Sequence, residues 1–155
     1  MGQLAQVNIL GQLTHPNIIR LLGCCSQKHE HLLVYEYMPN KSFDHFLFTD
    51  GPDVAGPLSW GTRLLIMIGV ARGLTYLHLA KLIHRDLKSS NILLDEVRIL
   101  SLFIIDGGFN AKIGDLGLAK YDYAYDDETH VSTGITGTHG YMAPEYYQAC
   151  MLLYF

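Results

Sequence analysis

The sequence has few of the features that would place it in several common classes of protein. It contains only three cysteines, Cys24, Cys25 and Cys150, so no disulfide framework is indicated and a reducing compartment is favoured. It has no block of basic residues and a formal net charge of −4, which argues against binding to a nucleic-acid backbone. No apolar run approaches the roughly 20 residues that span a bilayer. The N-terminus lacks the basic and apolar regions of a secretory signal.

Apolar residues are nevertheless abundant enough for a folded core. Of the 155 residues, 49% are hydrophobic and 17% are charged, and the length suits one domain or a piece of a larger one. Two β-rich runs, 18–25 and 32–37, flank a polar segment at 26–31 and predict a hairpin with that segment as its turn.

Helical patterns surround this hairpin. Apolar spacing over 4–13 suggests the end of a helix, and residues 42–47 predict a short helix with Ser42 near its cap. The longest periodic segment, 58–79, predicts a helix with Ser59 as its N-cap. Its predicted buried residues are Leu64, Ile68, Ala71, Leu74, Tyr76 and Leu77.

The string His84-Arg-Asp-Leu-Lys-Ser-Ser-Asn91 indicates a specific chemistry. Phosphoryl transfer to a hydroxyl needs a carboxylate such as Asp86 to accept or orient the hydroxyl proton. It also needs a cation such as Lys88 to meet the charge that develops on the transferred group. An amide oxygen such as that of Asn91 suits a hard divalent cation. The three residue types occur together at the spacing that this reaction requires.

Two further strings follow in the same order as in protein kinases. Asp115-Leu-Gly117 places a carboxylate on a glycine-flanked turn, where it can hold Mg²⁺ that bridges nucleotide phosphates. Ala143-Pro-Glu145 is the third string. Each tripeptide alone is a weak signal, but the three together match the protein-kinase signature set.

The chain resembles the serine/threonine receptor-like kinase family, especially its cytoplasmic branch. The resemblance covers most of the chain, with matching segments at 15–25, 33–39, 69–78, 110–120, 129–133 and 137–146. It implies an α+β fold that is part of a protein-kinase domain over residues 1–155. Residues 1–38 would be a remnant of the N-lobe and 39–155 part of the C-lobe, with an atypical insertion at 97–108.

The resemblance implies catalytic and metal-binding roles for four residues. Asp86 would be the catalytic base, and Lys88 would face the transferred phosphate. Asn91 would be the third catalytic residue. Asn91 and Asp115 would also be the ligands of Mg²⁺.

It also implies a site for ATP. Tyr35 would be the gatekeeper at the back of the adenine pocket. Glu36 and Met38 would offer backbone groups to adenine, and Leu93 would form the floor of the pocket. Asp115 would reach the nucleotide through the metal.

The activation segment has its own implied residues. Thr138 would lie where the substrate hydroxyl docks. Arg85 would form an ion pair with a phosphorylated residue of this segment. Ser132 and Thr133 are the residues expected to carry that phosphate.

The chain also departs from the family pattern. The 155 residues contain no Gly-x-Gly-x-x-Gly loop and no lysine of strand β3 of the kinase fold, and Gln6 stands where the family has glutamate. Leu116 replaces a phenylalanine, which is a mild change. Residues 97–108 separate Glu96 from Phe109, which the family joins almost directly. A truncated or mis-spliced gene product with a translated intron is one hypothesis that accounts for these departures.

The resemblance implies an ATP- and Mg²⁺-dependent serine/threonine kinase in signal transduction, with a protein substrate and an upstream receptor kinase as partners. The chain alone is expected to be weakly active or inactive, because phosphoryl transfer depends on groups from both lobes. A pseudokinase-like binding module and a non-functional fragment of a longer kinase are the alternatives. The implied location is the cytoplasm, or the inner face of the plasma membrane through residues outside this span.

Overall fold

The computed structural model describes part of the chain in two compact units. The described residues are 7, 10–27, 30–48, 58–96, 109–121, 130–132, 134–149 and 151–153, with only the backbone described for 30, 31, 96, 130–132, 148, 149 and 151–153. The first unit comprises Met1–Gly73 and Ser89–Gly114, and the second comprises Leu74–Lys88 and Asp115–Phe155.

Both helices and strands are present, as the expected α+β class requires. Where both ends of a helix are described, the helices are α1 (Phe43–Phe48), α2 (Trp60–Leu79) and α3 (Pro144–Ala149). Residues 10–12 are also helical, as the apolar spacing over 4–13 predicts. The strands are β1 (Leu21–Gln27), β2 (Glu30–Tyr35), β3 (Leu82–Ile83), β4 (Ile92–Glu96), β5 (Phe109–Ile113), β6 (Lys120–Tyr121), β7 (His130–Ser132) and β8 (Met151–Leu153). Short 3-10 turns occur at Ser89–Asn91 and Leu116–Leu118. Among the described residues, no helix is both long and apolar enough to cross a membrane.

The predicted hairpin is present in the first unit, but its turn was placed too widely. Strands β1 and β2 pair antiparallel, from Leu21 opposite Tyr35 to Gln27 opposite Glu30. Both strands therefore extend into the polar segment 26–31, because a polar strand can still form backbone hydrogen bonds on an exposed ladder. The predicted strand start at Ile18 was also wrong, since Ile18 makes only an isolated bridge to Ile113.

Strands β4 and β5 form a second antiparallel pair in the first unit. Their register runs from Ile92 opposite Ile113 to Glu96 opposite Phe109. The inserted residues 97–108 lie outside the described residues, as does Gln6. Asn17 joins this ladder to the segment before β1, because its side-chain amide donates to the carbonyl of Ala111 at 2.8 Å.

Helix α2 begins as the sequence predicts. The Ser59 hydroxyl accepts a hydrogen bond from the backbone N–H of Thr62 at 3.1 Å, which is the N-cap contact. The predicted buried face, however, was wrong at three positions. Leu64 and Ile68 are 44% and 39% exposed, and Ala71 is also exposed.

The buried stripe of α2 instead includes two glycines. Its members are Thr62, Ile66, Gly69, Gly73 and Leu77, at helical spacings of three and four. A Cβ added to Gly73 would lie 2.8 Å from the carbonyl oxygen of Asn17 and 2.9 Å from Cδ1 of Ile113. Close backbone approach at the glycines therefore selects this face over the one with larger apolar side chains.

The second unit contains two short antiparallel pairs. Strand β3 pairs with β6, and β7 pairs with β8, where Ser132 lies opposite Met151. Leu116, at the position where the family has phenylalanine, is 2% exposed. The leucine is therefore a core residue, which agrees with the expectation that replacing phenylalanine at this position is a mild change.

Candidate active site

The loop after β3 positions Asp86 in the second unit. Arg85 has a positive φ of 67°, which turns the backbone sharply just before the aspartate. The backbone N–H of Asp86 donates to Nδ1 of His84 at 3.1 Å, and the side chain of His84 is buried. Asp86 itself is only 7% exposed. The histidine thus packs in the interior and holds the loop in place.

Three predicted residues meet at one hydroxyl in this unit. The Thr138 hydroxyl donates to Oδ1 of Asp86 at 2.6 Å and accepts from Nζ of Lys88 at 2.8 Å. Lys88 also lies 3.0 Å from Oδ2 of Asp86. A carboxylate and an ammonium therefore hold one alcohol from its two sides, although Thr138 is fifty residues further along the chain than Lys88.

The charge of Asp86 is stabilised by these neighbours. Burial by itself would raise the pKa of Asp86, but the hydrogen bonds from Thr138 and Lys88 and the charge of Lys88 outweigh it. The pKa of Asp86 is therefore lowered, and the carboxylate is ionised at neutral pH. An ionised carboxylate is the form that can accept a proton from a hydroxyl.

Two residues position Thr138 from outside this trio. Gly137 has a φ of 133°, and a Cβ there would lie 2.6 Å from the carbonyl oxygen of Arg85, so only glycine fits. The buried Tyr146 hydroxyl of α3 accepts from the N–H of Thr136 at 3.0 Å and donates toward the carbonyls of Gly134 and Thr136 at 3.2 Å. Tyr146 therefore ties the segment before Thr138 to α3.

A cavity of about 290 Å³ borders the same residues. Asp86 and Thr138 form part of its wall, and apolar side chains such as Leu74, Met142 and Tyr146 form most of the remainder. Asp86 and Thr138 thus adjoin a largely apolar recess within the second unit.

The activation-segment residues are described only in part. Nε of Arg85 donates to the carbonyl of Leu118 at 2.7 Å. Ser132 lies in β7 with only its backbone described, and Thr133 lies outside the described residues. The pairing of Arg85 with a phosphorylated serine or threonine therefore stays a prediction.

The predicted adenine-binding residues lie in the first unit, where Glu36 is held by three groups. Its backbone N–H donates to the carbonyl of Arg20 at 3.1 Å. Its Oε1 accepts from the N–H of Arg20 at 2.8 Å and from Nζ of Lys112 at 2.7 Å. Burial would raise the pKa of Glu36, but the hydrogen bonds from Lys112 and Arg20 and their charges lower it, so this side chain is ionised.

The other predicted adenine contacts surround this residue in the chain. Tyr35 ends β2 opposite Leu21, and Met38 is half-buried. The Glu36 carbonyl and the Met38 N–H take part in none of the hydrogen bonds between described residues. An acceptor and a donor two residues apart fit the edge of a purine base, so the residues present are compatible with adenine.

The predicted floor of the pocket belongs to the β4–β5 ladder. Leu93 lies opposite Lys112, and a Cβ on Gly114 would lie 3.0 Å from Cδ1 of Leu93. Gly114 also donates its N–H to the carbonyl of Asn91 at 2.8 Å. A side chain at position 114 would therefore crowd Leu93, and glycine avoids this contact.

The two predicted metal ligands belong to different units, and each is described by itself. Asn91 is 7% exposed in the first unit. Asp115 is exposed in the second unit, with a left-handed φ of 52° just before the turn Leu116–Leu118. An amide oxygen and a carboxylate are suitable donors for Mg²⁺. Their joint use stays a prediction.

Sequence reasoning missed three contributors to these sites. They are Lys112, Gly137 and Tyr146. Lys112 could have been found by pairing the two short apolar runs 92–94 and 111–113 as a hairpin, which places it opposite Leu93. Nothing in the sequence alone marks the Tyr146 hydroxyl, because its partners depend on the path of a distant loop.

Comparison with known proteins gives consistent matches. The sequence profile of the family described as protein tyrosine and serine/threonine kinase matches residues 2–153. The chain is 49% identical over 145 residues to "Probable serine/threonine-protein kinase PBL2" of Arabidopsis thaliana, with 92% of the chain and 30% of the relative covered. It is 46% identical over 145 residues to "Receptor-like cytoplasmic kinase 176" of Oryza sativa subsp. japonica, with 92% and 33% covered. The chain therefore spans about a third of the length of the curated relatives that it matches.

Proposed function

The chain belongs to the protein tyrosine and serine/threonine kinase family, and we propose that it forms part of a serine/threonine kinase. The proposed reaction transfers the γ-phosphoryl group of ATP to serine or threonine hydroxyls of a protein. The family match and the names of the relatives agree with the resemblance to receptor-like kinases that the motifs indicate.

One observation carries this proposal. The Thr138 hydroxyl already makes the two contacts that an acceptor hydroxyl would need, one to Asp86 and one to Lys88. The geometry is that of an alcohol held between a base and a cation, and Asp86 is ionised as a base must be. This arrangement supports transfer to an aliphatic hydroxyl.

The proposed mechanism assigns a task to each side chain. Oδ1 of Asp86 would orient the acceptor hydroxyl and take its proton as the oxygen attacks the γ-phosphorus, while the bond from that phosphorus to the β,γ-bridging oxygen breaks and ADP leaves. The Lys88 ammonium stabilises negative charge near the attacking oxygen. Mg-ATP, when bound, supplies the phosphoryl group and the positive charge that offsets its oxygens. Tyr146 holds residues 134–138, the substrate-side loop, in place, and Gly137 allows this loop to pass close to Arg85.

ATP and Mg²⁺ are the cofactors that the proposed reaction needs. The Glu36 carbonyl and the Met38 N–H would bind adenine, with Tyr35 behind it and Leu93 below it. Asn91 and Asp115 would bind Mg²⁺. The support for the adenine site is the pair of backbone groups without partners among the described residues, and the support for the metal site is its oxygen donors.

Family membership also supports a proposal about regulation and partners. A phosphate on Ser132 or Thr133 would pair with the Arg85 guanidinium, whose fork of donors suits phosphate. An upstream receptor kinase is the proposed donor of that phosphate, and the cytoplasm, or the inner face of the plasma membrane, is the proposed location. The name of the rice relative supports a cytoplasmic receptor-like kinase.

The test combines phosphoryl transfer with thermal unfolding of the purified chain. We expect Mg-ATP to raise the unfolding midpoint, because a ligand of the native state stabilises it. We expect slow incorporation of labelled phosphate into casein, since the 155 residues contain no glycine-rich loop. Asp86→Asn should abolish incorporation, whereas Asp44→Asn, a matched change at the start of α1, should not.

Each other result has a definite meaning. Incorporation that survives Asp86→Asn would show that Asp86 is not the base. A cooperative melt without any response to Mg-ATP, together with no incorporation, would favour a binding module that docks partners without catalysis. Absence of a cooperative melt would favour the interpretation of the chain as a fragment that needs further sequence to fold.

A further inference from the structure

We infer that Lys112 is a positioning residue for adenine, because its ion pair with Glu36 fixes one end of residues 36–38, the hinge segment that is proposed to bind the base. This inference rests on the proposed function, since it concerns the adenine end of the proposed ATP site. The sequence motifs assign no role to Lys112. Its ion pair with Glu36 would affect binding of the adenine base and not of the phosphates.

The strand register places Lys112 on the correct face. Lys112 lies directly opposite Leu93 in the antiparallel β4–β5 pair. Residues that are directly opposite in such a pair have side chains on the same face of the ladder. The lysine side chain therefore leaves β5 on the face that carries the predicted pocket floor.

From that face the lysine reaches the predicted hinge. Its Nζ lies 2.7 Å from Oε1 of Glu36, and the same oxygen accepts from the backbone N–H of Arg20 at 2.8 Å. The Glu36 N–H in turn donates to the Arg20 carbonyl. Three bonds thus fix the side chain and the backbone of the residue whose carbonyl is proposed to bind adenine.

The ion pair is sufficiently buried to influence geometry. The side chains of Lys112 and Glu36 are 13% and 19% exposed. At this level of burial solvent screens a pair less than it does on the open surface, and a charge-assisted hydrogen bond has a preferred direction. Loss of the lysine would leave the two hydrogen bonds between Glu36 and Arg20, and we expect the Glu36 side chain and carbonyl to be less tightly oriented.

The test measures binding of adenosine, which has the base but no phosphates and needs no metal. The full chain would be titrated with adenosine and followed by NMR, well below the unfolding midpoint. Lys112→Met should weaken binding about tenfold, the change expected when one charge-assisted hydrogen bond no longer orients the partner. Lys112→Arg should restore most of the affinity, because it keeps the cation.

Two further variants separate positioning from general stability. Lys41→Met is the matched control, since Lys41 lies in the same unit and the hydrogen bond described for its Nζ goes to Nε2 of His45 at 3.2 Å. It should leave adenosine affinity unchanged. Glu36→Gln should resemble Lys112→Met, and the double variant should be no weaker than either single one, because both remove the same pair. Glu36→Gln also serves if Lys112→Met fails to fold.

The possible results distinguish failure of the inference about Lys112 from failure of the proposed nucleotide site. If Lys112→Met and Glu36→Gln lower the unfolding midpoint but bind adenosine as the wild type does, the pair is only structural and the inference is wrong while the proposed function stands. If the wild type binds no adenosine at millimolar concentration, the proposed nucleotide site is wrong, and the inference fails with it.

Discussion

Replacement of Gly73 by alanine should destabilise the first unit, although alanine is the better helix former. In the interior of a helix, alanine is favoured over glycine by about 1 kcal/mol. At Gly73, however, the added Cβ would lie 2.8 Å from the Asn17 carbonyl oxygen and 2.9 Å from Cδ1 of Ile113. The carbonyl cannot move easily, because it accepts the N–H of Ile113 at 2.9 Å.

The expected magnitude follows from these two opposing effects. Overpacking of a tight core costs about 1–3 kcal/mol, and contact with a fixed backbone atom belongs at the upper end of that range. After subtraction of the helix-propensity gain, the net loss should be about 2 kcal/mol. Urea unfolding followed by circular dichroism at 222 nm would measure it as a lower midpoint at an unchanged slope.

Two other glycines of α2 provide internal controls. A Cβ on Gly61 would meet only Oγ of Ser59, at 3.9 Å, so Gly61→Ala should stabilise by up to about 1 kcal/mol. A Cβ on Gly69 would lie 3.0 Å from Nδ2 of Asn17, and its effect should fall between the other two. If Gly73→Ala is as stable as Gly61→Ala, the close approach that selects the buried face of α2 is refuted.

Three further predictions concern the helix cap, the substrate-side loop and pH. Ser59→Ala should cost about 1 kcal/mol in urea unfolding, because the Thr62 N–H loses its cap, while Ser59→Asp should retain most of the stability. Tyr146→Phe should speed hydrogen exchange at the Thr136 amide, whose N–H donates to the tyrosine hydroxyl; unchanged exchange would argue against this anchor. Because the pKa of Asp86 is lowered on folding, its contribution to stability should be complete above about pH 4 and be lost as pH falls through the lowered value. Asp86→Asn should remove that part of the acid dependence in a pH series of melts, and an identical acid limb in both proteins would contradict the assignment.

The sequence by itself determined the local elements and the chemical class. The cap of α2 at Ser59, the hairpin of β1 and β2 and the short helix near Ser42 all arise from interactions between residues close in the chain. The order of Asp86, Lys88 and Asn91 indicated phosphoryl transfer because residue types at fixed spacing are a property of the chain alone. Such features depend on short-range hydrogen bonds and periodicity, which a sequence displays directly.

The tertiary structure alone decided which groups meet across long stretches of chain. It turned α2 so that Gly69 and Gly73 face the core and Leu64 does not, because only glycine allows Asn17 to approach so closely. It also brought Thr138 to Asp86 from 52 residues away, and Lys112 to Glu36 from 76 residues away. These contacts depend on the paths of separate segments and on the register of a sheet, and no local pattern of residues specifies either of them.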